Sequence, residues 1–260
     1  MLFFVDNNPK KYDQLVKLSH KGKEANFAIK NPKEILNTDF DKIYITSLTG
    51  CDSILKQLSS YGVDMLKVDY IYSRVKIDAR INFLKSFSKD CKDKKLFGEV
   101  AELGVFQGEF AKEIHKFFPD KKLYLFDTFE GFDERDLQKE DEATKKMGTY
   151  LDDTSVELVL SKMKDKSKII IKKGYFPDSA SGLDEESFCF VNLDVDLYQP
   201  IKSGLEFFYP KLCTGGIILI HDYYNPVYPG VKKAVDEFCE KHKINCFPIG
   251  DDISVALQKA

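Results

Sequence analysis

The stretch Glu99-Val100-Ala101-Glu102-Leu103-Gly104-Val105-Phe106-Gln107-Gly108-Glu109 decides the fold. Residues 97–103 end in an apolar run that reads as a strand, and residues 109–118 read as a helix. Between them Gly104 permits a tight turn, and Gly108 lets backbone approach a ligand at a helix N-terminus. Two glycines four apart are also what a plain strand-to-helix turn needs, so the ligand reading rests on the strand–turn–helix context. No Gly-Lys-Ser/Thr follows, which excludes a P-loop. Phe106 stands where the dinucleotide fingerprint has its middle glycine, so that fingerprint is incomplete.

Downstream, residues 122–126, 168–171, 188–193 and 216–221 are further apolar runs, with helical patterns over 155–164, 200–208 and 230–242. Continuous apolar strands alternating with helices predict a doubly wound parallel sheet. The end differs: residues 245–249, the turn Gly250-Asp251-Asp252 and residues 253–257 read as a hairpin, making seven strands. Upstream lies a shorter α/β pattern: strands over 2–5, 42–47 and 68–72, and a helix over 53–61 closed by Gly62. Val75, Ile77, Ile81, Phe83, Leu84 and Phe87 recur at helical spacing, predicting a connecting helix. The expected organisation is an α/β chain with a small N-terminal subdomain over 1–72, a linking helix over 73–95 and the seven-stranded Rossmann-like domain over 96–260.

Composition narrows the function. Hydrophobic residues make up 43% of the 260 and charged residues 31%, which excludes global disorder. A formal net charge of −3 gives a nucleic-acid partner no support. No apolar run approaches the roughly 18 residues of a membrane span, and Met1–Val5 followed by Asp6 is no secretory signal, so a cytoplasmic protein with no membrane contact of its own is expected. Six cysteines without a C-x-x-C pair read as reduced thiols. Only three arginines occur, Arg74, Arg80 and Arg135, a skew toward lysine that reads as genome composition.

Four places carry chemistry. The glycine turn is the first. The second is Leu125-Phe126-Asp127-Thr128-Phe129-Glu130-Gly131-Phe132, where Asp127 stands 19 residues after Gly108; an acid at that distance hydrogen-bonds a ribose or caps the next segment. Phe129 and Phe132 flank an adenine or pack in the core, and the sequence leaves both open. The third is Lys173-Gly174-Tyr175-Phe176-Pro177-Asp178, past the third strand and therefore at the ligand edge of a parallel sheet. The fourth joins Asn192-Leu193-Asp194-Val195-Asp196-Leu197-Tyr198 with His221-Asp222-Tyr223-Tyr224, which end neighbouring strands. Carboxylates so gathered repel unless a cation or shared proton intervenes. Asp194, Asp222 and His221 are candidate ligands of a divalent metal, and Asp196 is the candidate base for a hydroxyl proton. The competing reading makes Asp194 a cofactor contact, Asp196 a helix cap and His221 a core residue.

Residues from about 97 to 240 resemble the macrocin and mycinamicin sugar O-methyltransferase family. The resemblance rests on E-L-G-V-F-Q-G-E-F-A, L-F-D-T-F-E-G-F, K-G-Y-F-P-D-S, L-D-V-D-L-Y and H-D-Y-Y-N-P-V-Y-P-G-V-K-K-A-V-D-E-F, in that order. The strand count and order also match the S-adenosylmethionine-dependent methyltransferase fold. The resemblance implies S-adenosylmethionine as methyl donor, Mg2+ as helper, a sugar or nucleotide-sugar acceptor, and a homo-oligomer. It places Glu102, Gly104, Gly108, Asp127 and Thr128 at the cofactor, Asp194 at the metal and Asp196 as base; Phe106, Phe129, Gly174, Tyr175, Phe176 and Asp194 are further candidate cofactor contacts. The family commonly has two adjacent acids where this chain has His221-Asp222. Imidazole is a poorer magnesium ligand than carboxylate, so the metal is weaker, different or absent, and His221 becomes an alternative base.

F-V-D-N-N-P-K-K, A-I-K-N-P-K-E-I-L, D-K-I-Y-I-T-S and Q-L-S-S-Y-G-V-D resemble the later part of a small nucleotide-binding Rossmann domain, read here as a truncated remnant without its phosphate cradle. Related two-part sequences imply bacterial capsule or other surface polysaccharide synthesis. Three functions follow: an O-methyltransferase on a sugar hydroxyl, a methyltransferase on an amine or catechol-like diol, and a non-catalytic nucleotide-binding scaffold in glycan assembly.

Overall fold

The structure, a computed structural model, describes residues 3–47, 50–138, 151 and 153–260. The chain divides into two compact units, Met1–Val75 and Lys76–Ala260.

In the first unit, β1 (Phe4–Val5) pairs parallel with β3 (Lys23–Lys30), and β2 (Leu15–His20) pairs antiparallel with β3. The β2–β3 hairpin turns on Lys21 and Gly22, with φ of 48° and 74°. Two consecutive residues at positive φ match the twist of a two-residue hairpin. This hairpin was not expected: Leu15-Val16-Lys17-Leu18 faces mostly solvent, so its hydrophobic pattern is weak, and Leu15 is 66% exposed. A parallel pair, β4 (Ile43–Tyr44) and β5 (Val68–Asp69), is crossed by α1 (Cys51–Ser60) over a small core of Ile35, Ile45, Cys51, Leu58 and Val68. The expected strands at 42–47 and 68–72 are thus two residues each.

Helix α2 (Ile71–Asp93) starts and ends two residues before the linking helix expected over 73–95, and the division between units falls inside it. Leu84 and Phe87 of its predicted apolar face are buried, while the side chains of Val75 and Ile77 lie outside the described residues.

The second unit continues through β6 (Glu99–Leu103), α3 (Glu109–Phe117), β7 (Leu123–Asp127), α4 (Glu134–Leu137), α5 (Val156–Ser161), β8 (Ile169–Lys173), β9 (Phe188–Leu193), α6 (Tyr198–Lys211), β10 (Leu212–Ile220), α7 (Pro229–His242), β11 (Cys246–Pro248) and β12 (Val255–Gln258). The sheet runs β11-β12-β10-β9-β6-β7-β8. Five strands are parallel, and the closing hairpin adds β12 antiparallel to β10 and β11 antiparallel to β12. This is the predicted mixed seven-stranded α/β sheet.

Both faces are covered, which is why these strands read as unbroken apolar runs. On one face Phe126, Phe176, Phe188 and Phe208 meet in a set of edge and stacked contacts. On the other, Leu84, Val100, Ile114, Leu123, Leu125 and Phe190 pack together. The chain order reverses between β6 and β9, whose carboxyl ends therefore flank a crevice rather than a covered loop. No disulfide joins the six cysteines. Among the described residues, no helix is long and apolar enough to cross a membrane.

Candidate active site

The crevice is built where β6, β9 and β10 end. Backbone bonds tie the three ends together: the Asp194 amide donates to Leu103 O at 2.9 Å, and the His221 amide to Leu193 O at 2.9 Å. Gly104 has φ +87°, and a Cβ there would lie 2.0 Å from Asp194 O, so only glycine lets the two strand ends approach. Phe106, Phe129, Asp196 and Asp222 all adopt left-handed φ between 46° and 60°. Non-glycine residues rarely do so, and such strain gathers at functional sites.

Asp194 and Asp222 form an acidic pair around His221. His221 Nδ1 lies 3.1 Å from Asp194 Oδ1 and 2.6 Å from Asp222 Oδ2. The other Asp194 oxygen, Oδ2, accepts from Arg80 at 2.8 Å, and the other Asp222 oxygen, Oδ1, from Asn225 Nδ2 at 2.6 Å. Burial pushes Asp194 up, but the charges of His221 and Arg80 outweigh it and hold the carboxyl well below its usual range. Burial opposes charge on His221, yet Asp194 and the two hydrogen bonds raise it to about 10, so it is an imidazolium at neutral pH. Asp196 shares a hydrogen bond with Asp222; burial, then the charges of Asp222 and Asp194, push Asp196 well up. Asp222 stays low because its bond to His221 overcomes burial. Two carboxylates this close share one proton, held on Asp196.

Glu102 is buried at the end of β6 and accepts from Asn192 Nδ2 through Oε1 at 3.0 Å, while its buried Oε2 has no partner. Burial raises this carboxyl well above its ordinary value. Asp127 folds back over the glycine turn: Oδ2 accepts from the amides of Val105 and Phe106 at 2.7 and 2.9 Å, and Oδ1 from that of Phe129 at 2.7 Å. It caps both loops, with the Thr128 hydroxyl a fourth, longer contact at 3.5 Å from Oδ1.

The other sequence candidates sit on loops around Asp127, whose backbone accepts from the Gly174 amide at 2.9 Å. Phe129 is 4% exposed and belongs to the core beside α3, and Phe176 is 5% exposed against Phe126 and Phe208. Neither ring is free to flank an adenine, because each fills the hydrophobic layer under its loop. A Cβ at Gly108 would press on Val159 at 3.0 Å, so what approaches this helix start is a side chain of α5. The Thr128 hydroxyl turns to Gly131 O. Gly174 and Tyr175 line a cavity of about 500 Å³ with Arg135, Lys172 and Ser179. The guanidinium of Arg135 lies 3.5 Å over the Tyr175 ring.

Three residues near these acids were not singled out in the sequence: Arg80 and Asn192, described above, and Tyr228. Its half-buried phenol is pushed up first by burial and then by the charges of Asp196, Asp222 and Asp194. Tyr228 sits inside the quoted Y-N-P-V-Y-P-G motif, which was a usable signal.

Asp194, His221 and Asp222 offer donor atoms within 4.8 Å of one another, the spacing a metal needs. The donor chemistry fits Mg2+ poorly. Magnesium takes six hard oxygen ligands in strict geometry. Here the central donor is a nitrogen committed to hydrogen bonds with both carboxylates, and an arginine holds the remaining Asp194 oxygen.

Sheet order and glycine turn define the class first: this is the S-adenosylmethionine-dependent methyltransferase fold. The O-methyltransferase NovP shares it at a TM-score of 0.60 and 22% identity, over 70% of this chain and 80% of that one. The calicheamicin methyltransferase CalS11 does so at 0.55 and 17%, over 87% and 89%. Within that class the chain belongs to the macrocin O-methyltransferase (TylF) family, whose profile matches residues 57–256. Mycinamicin III 3''-O-methyltransferase of Micromonospora griseorubida is 25% identical over 162 residues, 57% of this chain and 63% of the relative. Demethyldecarbamoylnovobiocin O-methyltransferase of Streptomyces niveus is 31% identical over 80 residues, 31% of this chain and 28% of the relative. The chain thus matches less than two thirds of the length of either curated relative.

Proposed function

We propose that the protein transfers a methyl group from S-adenosylmethionine to a sugar hydroxyl of a small glycosylated molecule or of its nucleotide-sugar precursor. The observation that carries this reading is the meeting, at one sheet edge, of the Gly104 turn with Asp194, Asp196, His221 and Asp222. Family membership supports it.

The residues fit the cofactor. The partnerless Oε2 of Glu102 is an unsatisfied polar atom beside the turn, and Asp127 fixes the backbone of the glycine turn next to it. Glu102, the backbone of the Gly104 turn, Asp127, the Gly174–Tyr175 loop and Asp194 would hold it. When bound, S-adenosylmethionine supplies an electrophilic methyl group and a positive charge at sulfur.

Asp196, once its resting proton has passed to solvent, takes the proton of the acceptor hydroxyl. A carboxylate so disfavoured as an ion is a strong base once ionised, and general bases work best when tuned upward toward the working pH. Asp222 and His221 hold its orientation through their hydrogen bonds. His221 is committed through Nδ1 to Asp194 and Asp222, so Asp196 is the base proposed. Beyond Asp222 the same loop enters the wall of a cavity of about 560 Å³ lined by Tyr223, Tyr224, Asn225, Lys232 and Glu240. Its half-exposed Tyr224 ring and mixed hydrogen-bonding groups suit a sugar. Proximity and orientation within this crevice contribute the rest of the acceleration.

The curated relatives are named for mycinamicin III and demethyldecarbamoylnovobiocin, and nothing in these comparisons supports a surface-polysaccharide setting. The test is mass spectrometry of acceptors incubated with the protein and S-adenosylmethionine. A gain of one methyl on a sugar hydroxyl is expected from a panel of nucleotide sugars and glycosides. Methylation of amine acceptors alone would replace the hydroxyl reading with the amine one.

A further inference from the structure

Arg80 is one of three arginines in a lysine-rich chain, and its side chain is only 13% exposed. It reaches from α2 to the ends of β9. Its NH2 group donates to Asp194 Oδ2 at 2.8 Å and to Asn192 Oδ1 at 3.0 Å. Asn192 passes the restraint on to Glu102 at 3.0 Å. The guanidinium lies 4.0 Å over the Phe110 ring, which fixes its plane. Arginine suits this position because it is always charged, planar, and more weakly hydrated than an ammonium.

Both oxygens of Asp194 therefore hold nitrogen donors, Arg80 on one and His221 on the other. The acids of the crevice are matched by side chains of the chain itself. A divalent ion placed among Asp194, His221 and Asp222 would have to displace the His221 hydrogen bonds and would face the guanidinium across a single carboxylate. Like charges at that separation in a partly buried site cost a great deal.

We propose that Arg80 is a positioning residue standing in for a divalent cation: hydrogen-bonded to Asp194, its guanidinium supplies the fixed positive charge of the crevice, so that this chain's methyl transfer proceeds without a metal. The inference rests on the methyltransferase reading above. It reaches further, because it assigns the metal's electrostatic part to a residue on a helix outside the sheet and gives α2 a role in the site.

The test is Mn2+ titration of the purified protein, followed by loss of the free-ion electron paramagnetic resonance signal. Wild type is expected to leave that signal unchanged into the millimolar range. Arg80→Met removes the competing charge, and His221→Asp replaces the nitrogen donor with a carboxylate. Each is expected to gain Mn2+ affinity by more than about tenfold, while Arg80→Lys, which keeps the charge, stays near wild type. Wild-type capture of one Mn2+ per chain at micromolar concentration overturns the proposal, as does the absence of any gain in both Arg80→Met and His221→Asp. If Arg80→Met does not fold, wild type and His221→Asp decide. S-adenosylhomocysteine calorimetry on the same wild-type sample separates the two claims. Cofactor bound together with tight Mn2+ defeats the Arg80 inference alone; no cofactor binding in any buffer defeats the methyltransferase reading, and the inference with it.

Discussion

Gly104→Ala is expected to destabilise the second unit by roughly 2–5 kcal/mol and to abolish S-adenosylhomocysteine binding. The magnitude combines two costs: about 1–2 kcal/mol for a left-handed alanine and about 1–3 kcal/mol for overpacking. The new methyl would sit 2.0 Å from the carbonyl oxygen of Asp194, a backbone atom fixed by the β6–β9 pairing. Relief requires parting the two strands at the crevice, and that moves Asp194 and Asp196 together. Gly182→Ala is the control, since Gly182 has φ +77° with nothing within 4 Å of its Cβ position. It carries the conformational cost without the clash, about 1–2 kcal/mol, and leaves the site intact. Urea unfolding with calorimetry of both variants checks this. Equal effects would mean that the close approach at Gly104 is immaterial.

Asp196→Asn is expected to lower turnover by about 100- to 10,000-fold, the usual contribution of a general base, while S-adenosylhomocysteine affinity stays near wild type. The same substitution should stabilise the protein at neutral pH. The Asp196 carboxyl is pushed up by burial and by the charges of Asp222 and Asp194. In the unfolded chain it ionises near pH 4, so above that value unfolding releases a proton and the folded state loses stability as pH rises toward the raised folded-state value. Asparagine resembles the protonated acid and can donate to Asp222, so it escapes this loss. The variant's melting temperature should exceed that of wild type by a margin that widens with pH across this window. Undiminished turnover would remove Asp196 from the mechanism, and a variant less stable at every pH would contradict its electrostatic setting.

Legibility followed burial. The β9 boundaries agree residue for residue with the apolar run at 188–193, because that strand is covered on both faces and flanked by β6 and β10. The terminal hairpin was readable from Gly250-Asp251-Asp252, where the Asp251 carboxylate accepts from the amides of Ile253 and Ser254 at 3.1 and 2.7 Å. The β2–β3 hairpin was not readable, since its strands expose Leu15 and Leu18 and carry no core pattern. At the site, Asp194, Asp196, His221 and Asp222 were legible because they end neighbouring parallel strands, whose carboxyl ends must share an edge. Asn192 and Arg80 were not. Asn192 opens the fourth chemistry-bearing stretch without a role of its own, which appears only when Arg80 arrives from a residue 112 positions away. The rarity of arginine was the available signal, and it was read as composition. Arg80 and Arg135 each lie over an aromatic ring and pair with carboxylates, work to which lysine is poorly shaped. Phe129 and Phe176 turn their rings into the core, for Phe129 the packing alternative that the sequence leaves open.

Calorimetric titration of the wild-type protein with S-adenosylhomocysteine, once with magnesium and once with chelator, tests the central claim most directly. Binding in the micromolar range, equal in the two buffers, is the predicted result. No heat of binding in either buffer would contradict the assignment of Glu102, Gly104, Asp127 and Asp194 to a cofactor site.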